Sequence, residues 1–381
     1  MATLILSCST GQGHNSCAKA VKEYYDAQGE TCVVTDALDF VSRPLSRFIC
    51  WGHTTMYRYL HWLFKLIYGY SEKHPAIFHE KSGIYRLLAL GAGRLCQYIQ
   101  DGGFDSVICT HVFASLMMTE VQKRYHLPVT IGLVATDYTC NPGTKESRVD
   151  VHFIPDASLQ VDFDSPDIRD EQFCCSGIPI RQMFYHSADK AEAKRAFGIS
   201  PEHKHLLMMC GSMGCGPMKR LARMLSHRLS ENVDMTVVCG TNRRLQKKLQ
   251  RRYKDNANIH ILGYTQDMSL LLDSADLYLT KPGGISITEA AMKSLPMVLI
   301  DAVAGCEHYN RFYFLRKGGA RTGAYSMEIA RICVALLEDE RKLEAMRQSL
   351  AAMPKDNAAA IIYERMHQAA AQQHEDAAQR Q

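Results

Sequence analysis

The segment from Lys281 to Ala291 has the composition of a turn that binds a diphosphate. It reads Lys-Pro-Gly-Gly-Ile-Ser-Ile-Thr-Glu-Ala-Ala and directly follows a short apolar run. Glycines at the end of a strand let backbone amides at the start of the next helix approach a diphosphate, and the hydroxyls of Ser286 and Thr288 can add donors. Glu289 can accept hydrogen bonds from both hydroxyls of a ribose, as acidic residues do in nucleotide-binding folds. The segment predicts a nucleotide site, although many glycine turns only pack a helix on a strand.

His14 ends a second glycine-rich turn, Thr10-Gly11-Gln12-Gly13-His14, close to the start of the chain. An imidazole titrates near neutral pH, so His14 can take the proton of a hydroxyl as that hydroxyl attacks. Asp137 ends another apolar run and can orient this base or serve as the base itself. His111 also follows the end of a predicted strand. A histidine in such places can equally cap or pack a helix, so the residues alone leave both roles open.

Short apolar runs alternate with helical patterns along the whole chain, which predicts parallel sheets covered by helices on both faces. A third glycine turn, Gly211-Ser212-Met213-Gly214, follows one of these runs and repeats the arrangement at the chain start. The α/β pattern therefore predicts two Rossmann-like domains, at 1–185 and 186–355, followed by a last helix and tail at 356–381. The predicted strands cover 3–7, 32–35, 106–110, 130–136, 206–209, 235–239, 259–262, 277–280 and 297–300. Residues 372–381 are predicted to be a frayed tail.

The segment from Thr54 to Tyr70 predicts one amphipathic helix with an unusually wide apolar face. Basic side chains share a narrow stripe, and aromatic side chains border it. The stripe contains Arg58, His61 and Lys65, the apolar face contains Met56, Tyr59, Leu60, Leu63, Phe64 and Ile67, and Tyr57, Trp62 and Tyr68 lie between them. Such a helix can place apolar surface in acyl chains and cations at anionic headgroups. Burial against the domain core is the alternative.

Composition and charge indicate a globular protein with reduced thiols. The chain has 381 residues, of which 46% are hydrophobic and 22% charged, enough for about two domains. No run of about 18 apolar residues predicts a membrane span, and no secretory leader precedes the first predicted strand. The 14 cysteines are mostly scattered singly, which favours a cytosolic protein. The net charge of +4 does not call for a nucleic-acid partner, and the basic runs between 243 and 252 are interpreted as a solvated face.

The order of the motifs resembles that of one family. The motifs are Thr10-Gly11-Gln12-Gly13-His14, Ala135-Thr136-Asp137-Tyr138, Gly177-Ile178-Pro179-Ile180, Gly211-Ser212-Met213-Gly214 and the block from Lys281 to Ala291. Over residues 3 to 365 the chain resembles monogalactosyldiacylglycerol synthases and bacterial processive diacylglycerol glucosyltransferases, relatives of the peptidoglycan N-acetylglucosaminyltransferase. The resemblance implies a GT-B fold, in which two Rossmann-like domains face each other across a cleft.

The resemblance also implies an activity and its partners. The expected reaction is inverting and needs neither a metal nor another cofactor, and it moves glucose or galactose from UDP-glucose or UDP-galactose to diacylglycerol or a related glycolipid. The expected place is the cytoplasmic face of a membrane, on an anionic surface that the protein meets peripherally. The N-terminal domain would bind the acceptor and the membrane, and the C-terminal domain would bind the UDP-sugar.

Site residues follow from the resemblance position by position. His14 would be the base, with Asp137 second in rank, and Glu289 would hold the ribose. The diphosphate would be bound by Gly211, Ser212, Gly283, Gly284 and Ser286, and the uracil edge by Gly263 and Tyr264. The residue patterns add Gly214 and Thr288 to the donor site. They place on the acceptor or membrane side Gly13, Tyr59, Trp62, Phe64, Lys65 and His111. Where relatives carry a Pro-Gly-Gln-Glu-like turn, this chain has Cys306, so Glu307 or Asn310 is expected to contact the sugar instead.

Three other functions fit the same motifs. A UDP-N-acetylglucosamine-type transferase would use a polyprenyl-linked acceptor, and an epimerase would act on the UDP-sugar alone. A protein without catalytic activity could bind UDP-sugars as a sensor. An epimerase has no use for the aromatic helix, so dependence of activity on lipid separates it from a lipid transferase.

Overall fold

The computed structural model describes residues 1–9, 12–59, 61–300 and 305–379. Side chains are not described at 45, 50, 53, 54, 56–59, 61, 64, 374 and 376–379. The described chain forms two compact units. The first contains residues 1–182, 305–306 and 356–379, and the second contains residues 183–300 and 307–355.

The first unit is built on a parallel sheet of six strands in the order β2-β1-β3-β4-β5-β6. The strands are β1 (Thr3–Ser7), β2 (Cys32–Asp36), β3 (Ser106–Cys109), β4 (Thr130–Val134), β5 (Val151–Ile154) and β6 (Phe173–Cys175). The helices are α1 (Gln12–Ala27), α2 (Arg43–Tyr59), α3 (His61–Lys73), α4 (Gly83–Ala89), α5 (Ala92–Asp101), α6 (Val112–Tyr125) and α7 (Gln160–Phe163). The strand β1 is a continuous buried run, as expected for a central parallel strand covered on both faces.

The second unit repeats the plan with the strand order β12-β11-β10-β7-β8-β9, again all parallel. Its strands are β7 (Lys204–Met209), β8 (Val233–Val238), β9 (Ile259–Leu262), β10 (Leu277–Thr280), β11 (Met297–Leu299) and β12 (Ala320–Thr322). Its helices are α8 (Lys190–Ala196), α9 (Met218–Leu225), α10 (Arg243–Tyr253), α11 (Met268–Ser274), α12 (Gly284–Met292), α13 (Gly305–Arg316), α14 (Ser326–Leu337) and α15 (Glu340–Ala351). Each unit has its own buried core between sheet and helices. The prediction of an α/β protein with two parallel sheets is confirmed.

The last helix, α16 (Ala358–Gln379), packs against the first unit, on α1 and β4. Tyr363 lies edge-on to the buried ring of Tyr25 at 5.0 Å between centroids. The prediction that the chain frays from residue 372 is wrong up to 379, because the helix continues and Thr130 donates a hydrogen bond to Gln373 Oε1 at 2.8 Å. Residues 380 and 381 lie outside the described residues.

The predicted single helix from Thr54 to Tyr70 is also wrong in its bounds. The described helical residues start eleven positions earlier, at Arg43 in α2, and run on to Lys73 at the end of α3. Leu60, between α2 and α3, lies outside the described residues.

The described cysteines carry free thiols, and most are buried. This agrees with the expectation of core thiols. Within the part of the chain that the structure describes, no helix has both the length and the apolar character needed to cross a bilayer.

Candidate functional site

Both sheets reverse their strand order at a place where glycine-rich segments follow the strands. In the second sheet the reversal lies between β7 and β10, which lead into Gly211 and Lys281. In the first sheet it lies between β1 and β3, which lead towards His14 and His111. The carboxyl ends of parallel strands at such a reversal form the usual ligand crevice of open α/β sheets. Each unit therefore presents one candidate site.

The turn after β7 requires glycine at two positions. Gly211 has φ +71°, and a Cβ there would lie 2.6 Å from Cε of Lys281. Gly214 has φ +56°, and a Cβ there would lie 2.2 Å from the carbonyl oxygen of Cys239. Left-handed backbone and close approach both exclude a side chain at these two positions. Ser212 lies between these glycines and is half-buried.

The turn after β10 leads into the start of α12. Gly283 is the N-cap residue with φ −78° and ψ 130°, and Gly284 is the first helical residue. The first amides of a helix have no partner within it and attract anions. Ser286 and Glu289 are half-buried.

Thr288 is buried, and its hydroxyl donates to the carbonyl oxygen of Gly284 at 2.7 Å. A hydrogen bond to the carbonyl four residues earlier is common for threonines in helices. The expectation that Thr288 donates to a ligand stays a prediction.

Lys281 is the residue that links the two turns, and the sequence analysis did not assign it a role. Its Nζ lies 2.7 Å from Oε1 of Glu307, and its side chain is 17% exposed. A Cβ at Gly211 would touch its stem, and a Cβ at Gly283 would lie 3.5 Å from its Nζ. A half-buried lysine beside two glycine turns is a candidate cation for a diphosphate site, although it is already paired with Glu307. The sequence signal that could have identified Lys281 was its position directly after a strand, within the glycine motif.

Glu307 and Asn310 hold this turn from α13. Glu307 is 4% exposed and accepts the hydrogen bond of Lys281. Asn310 is fully buried, and its Nδ2 donates to the carbonyl oxygen of Pro282 at 3.0 Å. These two hydrogen bonds are with the Lys281 turn, and the expectation that Glu307 or Asn310 contacts the sugar stays a prediction. Cys306 lies half-buried in the first turn of the same helix, and residues 303 and 304 of that loop lie outside the described residues.

Gly263 and Tyr264 follow β9, the edge strand, which β8 separates from β7. A Cβ at Gly263 would lie 2.8 Å from Oε1 of Gln246 on α10. The Tyr264 ring is 68% exposed. The two residues are thus placed at the end of the sheet, with an aromatic ring open to solvent.

His14 is held by one ring nitrogen in the first turn of α1, beside Gly13. Its Nδ1 lies 2.6 Å from the carbonyl oxygen of Thr110 and 3.2 Å from the hydroxyl of Thr136. A carbonyl only accepts hydrogen bonds, so Nδ1 carries a proton and the neutral ring has its lone pair on Nε2. Burial lowers the pKa of His14 from its usual value, and the nearby Asp137 carboxylate and the Thr110 carbonyl oppose this only in part. The residue is therefore a neutral base at physiological pH.

Described residues on either side of positions 10 and 11 make two further hydrogen bonds. The Ser9 amide donates to the carboxylate of Asp36 at 2.9 Å, and the Ser7 hydroxyl donates to Asn15 Oδ1 at 2.7 Å. Thr10 and Gly11 lie outside the described residues.

His111 is brought against His14, with ring centroids 4.5 Å apart in an edge-on arrangement. It is also the N-cap of α6, where its Nδ1 accepts a hydrogen bond from the Phe113 amide at 3.0 Å. Accepting through Nδ1 places the proton of the neutral ring on Nε2. The capping role suggested as an alternative is thus present, and it leaves His111 with the tautomer opposite to that of His14.

The exposed face of α3 is strongly apolar. Trp62 is 68% exposed, Leu66 63% and Tyr70 56%, and the three are spaced four residues apart along one side of the helix. Lys65 is exposed beside them. The side chains of Tyr59 and Phe64, which the sequence analysis placed on the acceptor or membrane side, lie outside the described ones. An exposed stripe of this kind marks an interaction surface.

Among the described residues, no cluster of three or more histidine, cysteine, aspartate or glutamate side chains is arranged to hold a metal ion.

Two family models match the chain, and together they cover most of it. The model described as monogalactosyldiacylglycerol (MGDG) synthase matches residues 14–180, and the model described as the glycosyltransferase family 28 C-terminal domain matches residues 205–381. The processive diacylglycerol beta-glucosyltransferase of Bacillus licheniformis is 28% identical over 368 residues, which is 94% of this chain and 92% of the relative. The protein of the same name from Bacillus cereus is 29% identical over 358 residues, 91% of this chain and 88% of the relative.

Solved structures share the fold at low identity. The MurG structure from Acinetobacter baumannii has a TM-score of 0.62 at 13% identity and covers 96% of this chain and 99% of its own. The spinosyn rhamnosyltransferase SpnG has a TM-score of 0.61 at 11% identity, with the same coverages. The S. aureus MnaA–UDP co-structure has a TM-score of 0.59 at 14% identity and covers 94% of this chain and 92% of its own.

Proposed function

The chain belongs to the glycosyltransferase family of the monogalactosyldiacylglycerol synthases and processive diacylglycerol glucosyltransferases, and from this we propose that it glycosylates diacylglycerol or a related glycolipid, using UDP-glucose or UDP-galactose. The observation that carries the proposal is the state of His14. Its Nδ1–H donates a hydrogen bond to the Thr110 carbonyl oxygen. Nε2 is therefore the proton acceptor, at the strand reversal of the first unit. In the second unit, glycine turns and Lys281 offer an anion site at the corresponding reversal.

The proposed reaction is a single displacement with inversion. The acceptor hydroxyl attacks the anomeric carbon of the sugar as its proton moves to Nε2 of His14. The bond between that carbon and the diphosphate oxygen breaks, and UDP leaves with the electron pair. Helix amides at the start of α12 and the ammonium of Lys281 stabilise the charge that develops on UDP. His111, edge-on to His14, faces the same acceptor.

The donor contacts are proposed for the second unit. Gly211, Gly214, Gly283 and Gly284 let the diphosphate approach the backbone, and Ser286 and Ser212 add hydroxyl donors. Glu289 binds the ribose and Tyr264 stacks near the uracil. Glu307 and Asn310 act on the sugar through the Lys281 turn that they hold.

Incubation of the purified protein with diacylglycerol vesicles and radiolabelled UDP-glucose or UDP-galactose tests the proposal directly. We expect one labelled glycolipid or a short series in the lipid phase, and labelling that is slower by about 10²–10⁴-fold when His14→Ala replaces the native protein. UDP-sugar that binds but is never consumed, with any lipid acceptor, would point to a sensor. Turnover of UDP-N-acetylglucosamine without a lipid would point to epimerisation.

We propose further that the protein works peripherally on the cytoplasmic face of an anionic membrane, through α3. The double variant Trp62→Ser with Leu66→Ser removes two exposed apolar side chains. Full burial of one such side chain is worth about 1.5–3 kcal/mol, so partial insertion of both predicts a loss of vesicle affinity of about tenfold or more. Flotation with phosphatidylglycerol vesicles measures this.

A matched control for the flotation experiment is Leu90→Ser with Val161→Ser, which removes two apolar side chains that are 70% and 75% exposed elsewhere in the first unit. The control should float like the native protein, and both double variants should still bind UDP. If the two double variants floated equally, α3 would not be the element that contacts the membrane.

The state of His14 also predicts a pH dependence. Protonation of Nε2 abolishes the base, so the transfer rate should fall only as the pH drops below the usual range of histidine. The Asp137 carboxylate favours the imidazolium, so Asp137→Asn should lower the pKa of His14 further and move this acid limb to lower pH. Asp39→Asn, which neutralises an exposed carboxylate of the same unit, is the control. A collapse of the rate at every pH in Asp137→Asn would instead make Asp137 the base.

A further inference from the structure

The inner side of α3 contacts the loop that carries Asp137. The Tyr68 hydroxyl donates a hydrogen bond to Oδ1 of Asn141 at 2.9 Å. Asn141 Nδ2 in turn donates to Oδ2 of Asp137 at 3.4 Å. Tyr68 is half-buried, and buried Ser71 one turn later donates to the Tyr68 carbonyl oxygen at 2.6 Å. The helix therefore has an outer apolar face at Trp62 and Leu66 and an inner face bonded to the candidate site.

The Asn141 side chain can form both of these hydrogen bonds in only one orientation of its amide. A side-chain amide has one accepting end and one donating end. The Tyr68 hydroxyl occupies the accepting end, so the donating end is turned towards Asp137. Without the tyrosine hydroxyl, this pair of bonds is reduced to the long one to Asp137, at 3.4 Å, so the amide is held less firmly in this orientation.

Asp137 is the charged group of this network that acts on His14. Among the described residues, His14 also contacts the His111 ring, the Thr110 carbonyl and the Thr136 hydroxyl. Burial is the main cause of the lowered pKa of His14, and the Asp137 carboxylate is the largest influence that opposes it, so the orientation of that carboxylate changes how readily His14 accepts and holds a proton.

We propose that Tyr68 is a positioning residue. Through Asn141 and Asp137, it couples the position of α3 to the ability of His14 to accept a proton. The inference rests on the proposed function, in which His14 is the base and α3 meets the lipid. When α3 lies where the structure shows it, Tyr68 orients the Asn141 amide, and Asn141 holds the Asp137 carboxylate beside His14. When lipid contact displaces α3, the same bonds transmit the displacement to the base.

Tyr68→Phe tests the proposal, since it removes one hydroxyl and keeps the ring. We expect kcat to fall about three- to tenfold, which corresponds to the loss of one net hydrogen bond. KM for UDP-glucose and flotation with phosphatidylglycerol vesicles should stay unchanged. The acid limb of the rate should move to lower pH, in the direction expected for Asp137→Asn.

A double-mutant cycle separates coupling from general damage. Asn141→Ala interrupts the same chain, so Tyr68→Phe should add nothing to it in the double variant. Tyr98→Phe is the control, because Tyr98 is in the same unit and stacks on Phe40 at 5.3 Å, with no hydroxyl hydrogen bond found among the described residues. It should behave as the native protein does. Additive losses from Tyr68→Phe and Asn141→Ala would overturn the proposal.

An NMR titration of His14 gives a readout that needs no turnover. The pKa of His14 should be lower in Tyr68→Phe than in the native protein and unchanged in Tyr98→Phe. An identical His14 pKa in native protein and Tyr68→Phe would overturn the coupling even in an active enzyme. If the native protein glycosylates no lipid, the proposed function fails, and the titration still decides whether Tyr68 acts on His14.

Discussion

Replacing His14 with alanine should lower the rate of sugar transfer by about 10²–10⁴-fold, the usual cost of losing a general base. The side chain contributes a lone pair at Nε2 because Thr110 fixes the proton on Nδ1. UDP affinity should remain nearly native, since the nucleotide contacts are proposed for the other unit. Initial rates at saturating UDP-sugar and calorimetry with UDP measure the two quantities.

The control for this variant is His227→Ala, which removes an exposed histidine of the second unit. It should transfer sugar at the native rate. If His14→Ala transferred sugar at the native rate, Asp137 or another group would have to be the base. A parallel loss of UDP affinity would show that the variant is damaged more widely.

Replacing Glu289 with alanine should weaken UDP binding about a hundredfold. The residue is half-buried on α12, one turn beyond the glycines, where two charge-assisted hydrogen bonds to a ribose are worth on the order of 3 kcal/mol. Calorimetry with UDP gives the affinity, and Glu338→Ala, an exposed carboxylate at the end of α14, is the control. Unchanged affinity in a folded Glu289→Ala protein would move the ribose away from α12.

Most strands with an uninterrupted apolar run were predictable from the sequence, among them β11 with only three residues. The apolar runs at 4–6 in β1 and 206–209 in β7 lie before glycine turns, and both signals are local. In contrast, β6 is a partly exposed edge strand with two cysteines, and β12 carries Arg321 and Thr322, so neither presents a run of large apolar residues. His152 in β5 is buried in a strand of four residues, so its polar side chain masks the run.

The candidate site was predictable only where its members belong to one motif. Glycines, Ser286 and Glu289 share a segment, and their spacing on a strand and helix start carries the expectation. The pairing of Lys281 with Glu307 joins residues 26 positions apart, and that of Tyr68 with Asn141 joins residues 73 apart. Such contacts depend on how helices and strands pack together, and no local sequence periodicity predicts them.

The return of α16 to the first unit determines when that unit can finish folding. Met366 is fully buried, and a Cβ at Gly132 in β4 would lie 2.8 Å from its sulfur, so this strand keeps a glycine where the last helix packs. Tyr363 and His367 both hydrogen bond to Glu30 beside β2. These residues leave the ribosome only after residues 183–355, the described second unit, have been made. At about 5–20 residues per second that interval lasts on the order of ten seconds or more.

Until α16 is made, the nascent first unit exposes the apolar surface that this helix will cover. The described core of the second unit is built from residues that all precede α16, so that unit can fold as its own sequence emerges. A chain ending at Lys355 should therefore yield a folded second unit beside an incompletely packed first one. Hydrogen exchange would show this as lost protection confined to α1 and β4, with β7 and β10 unchanged.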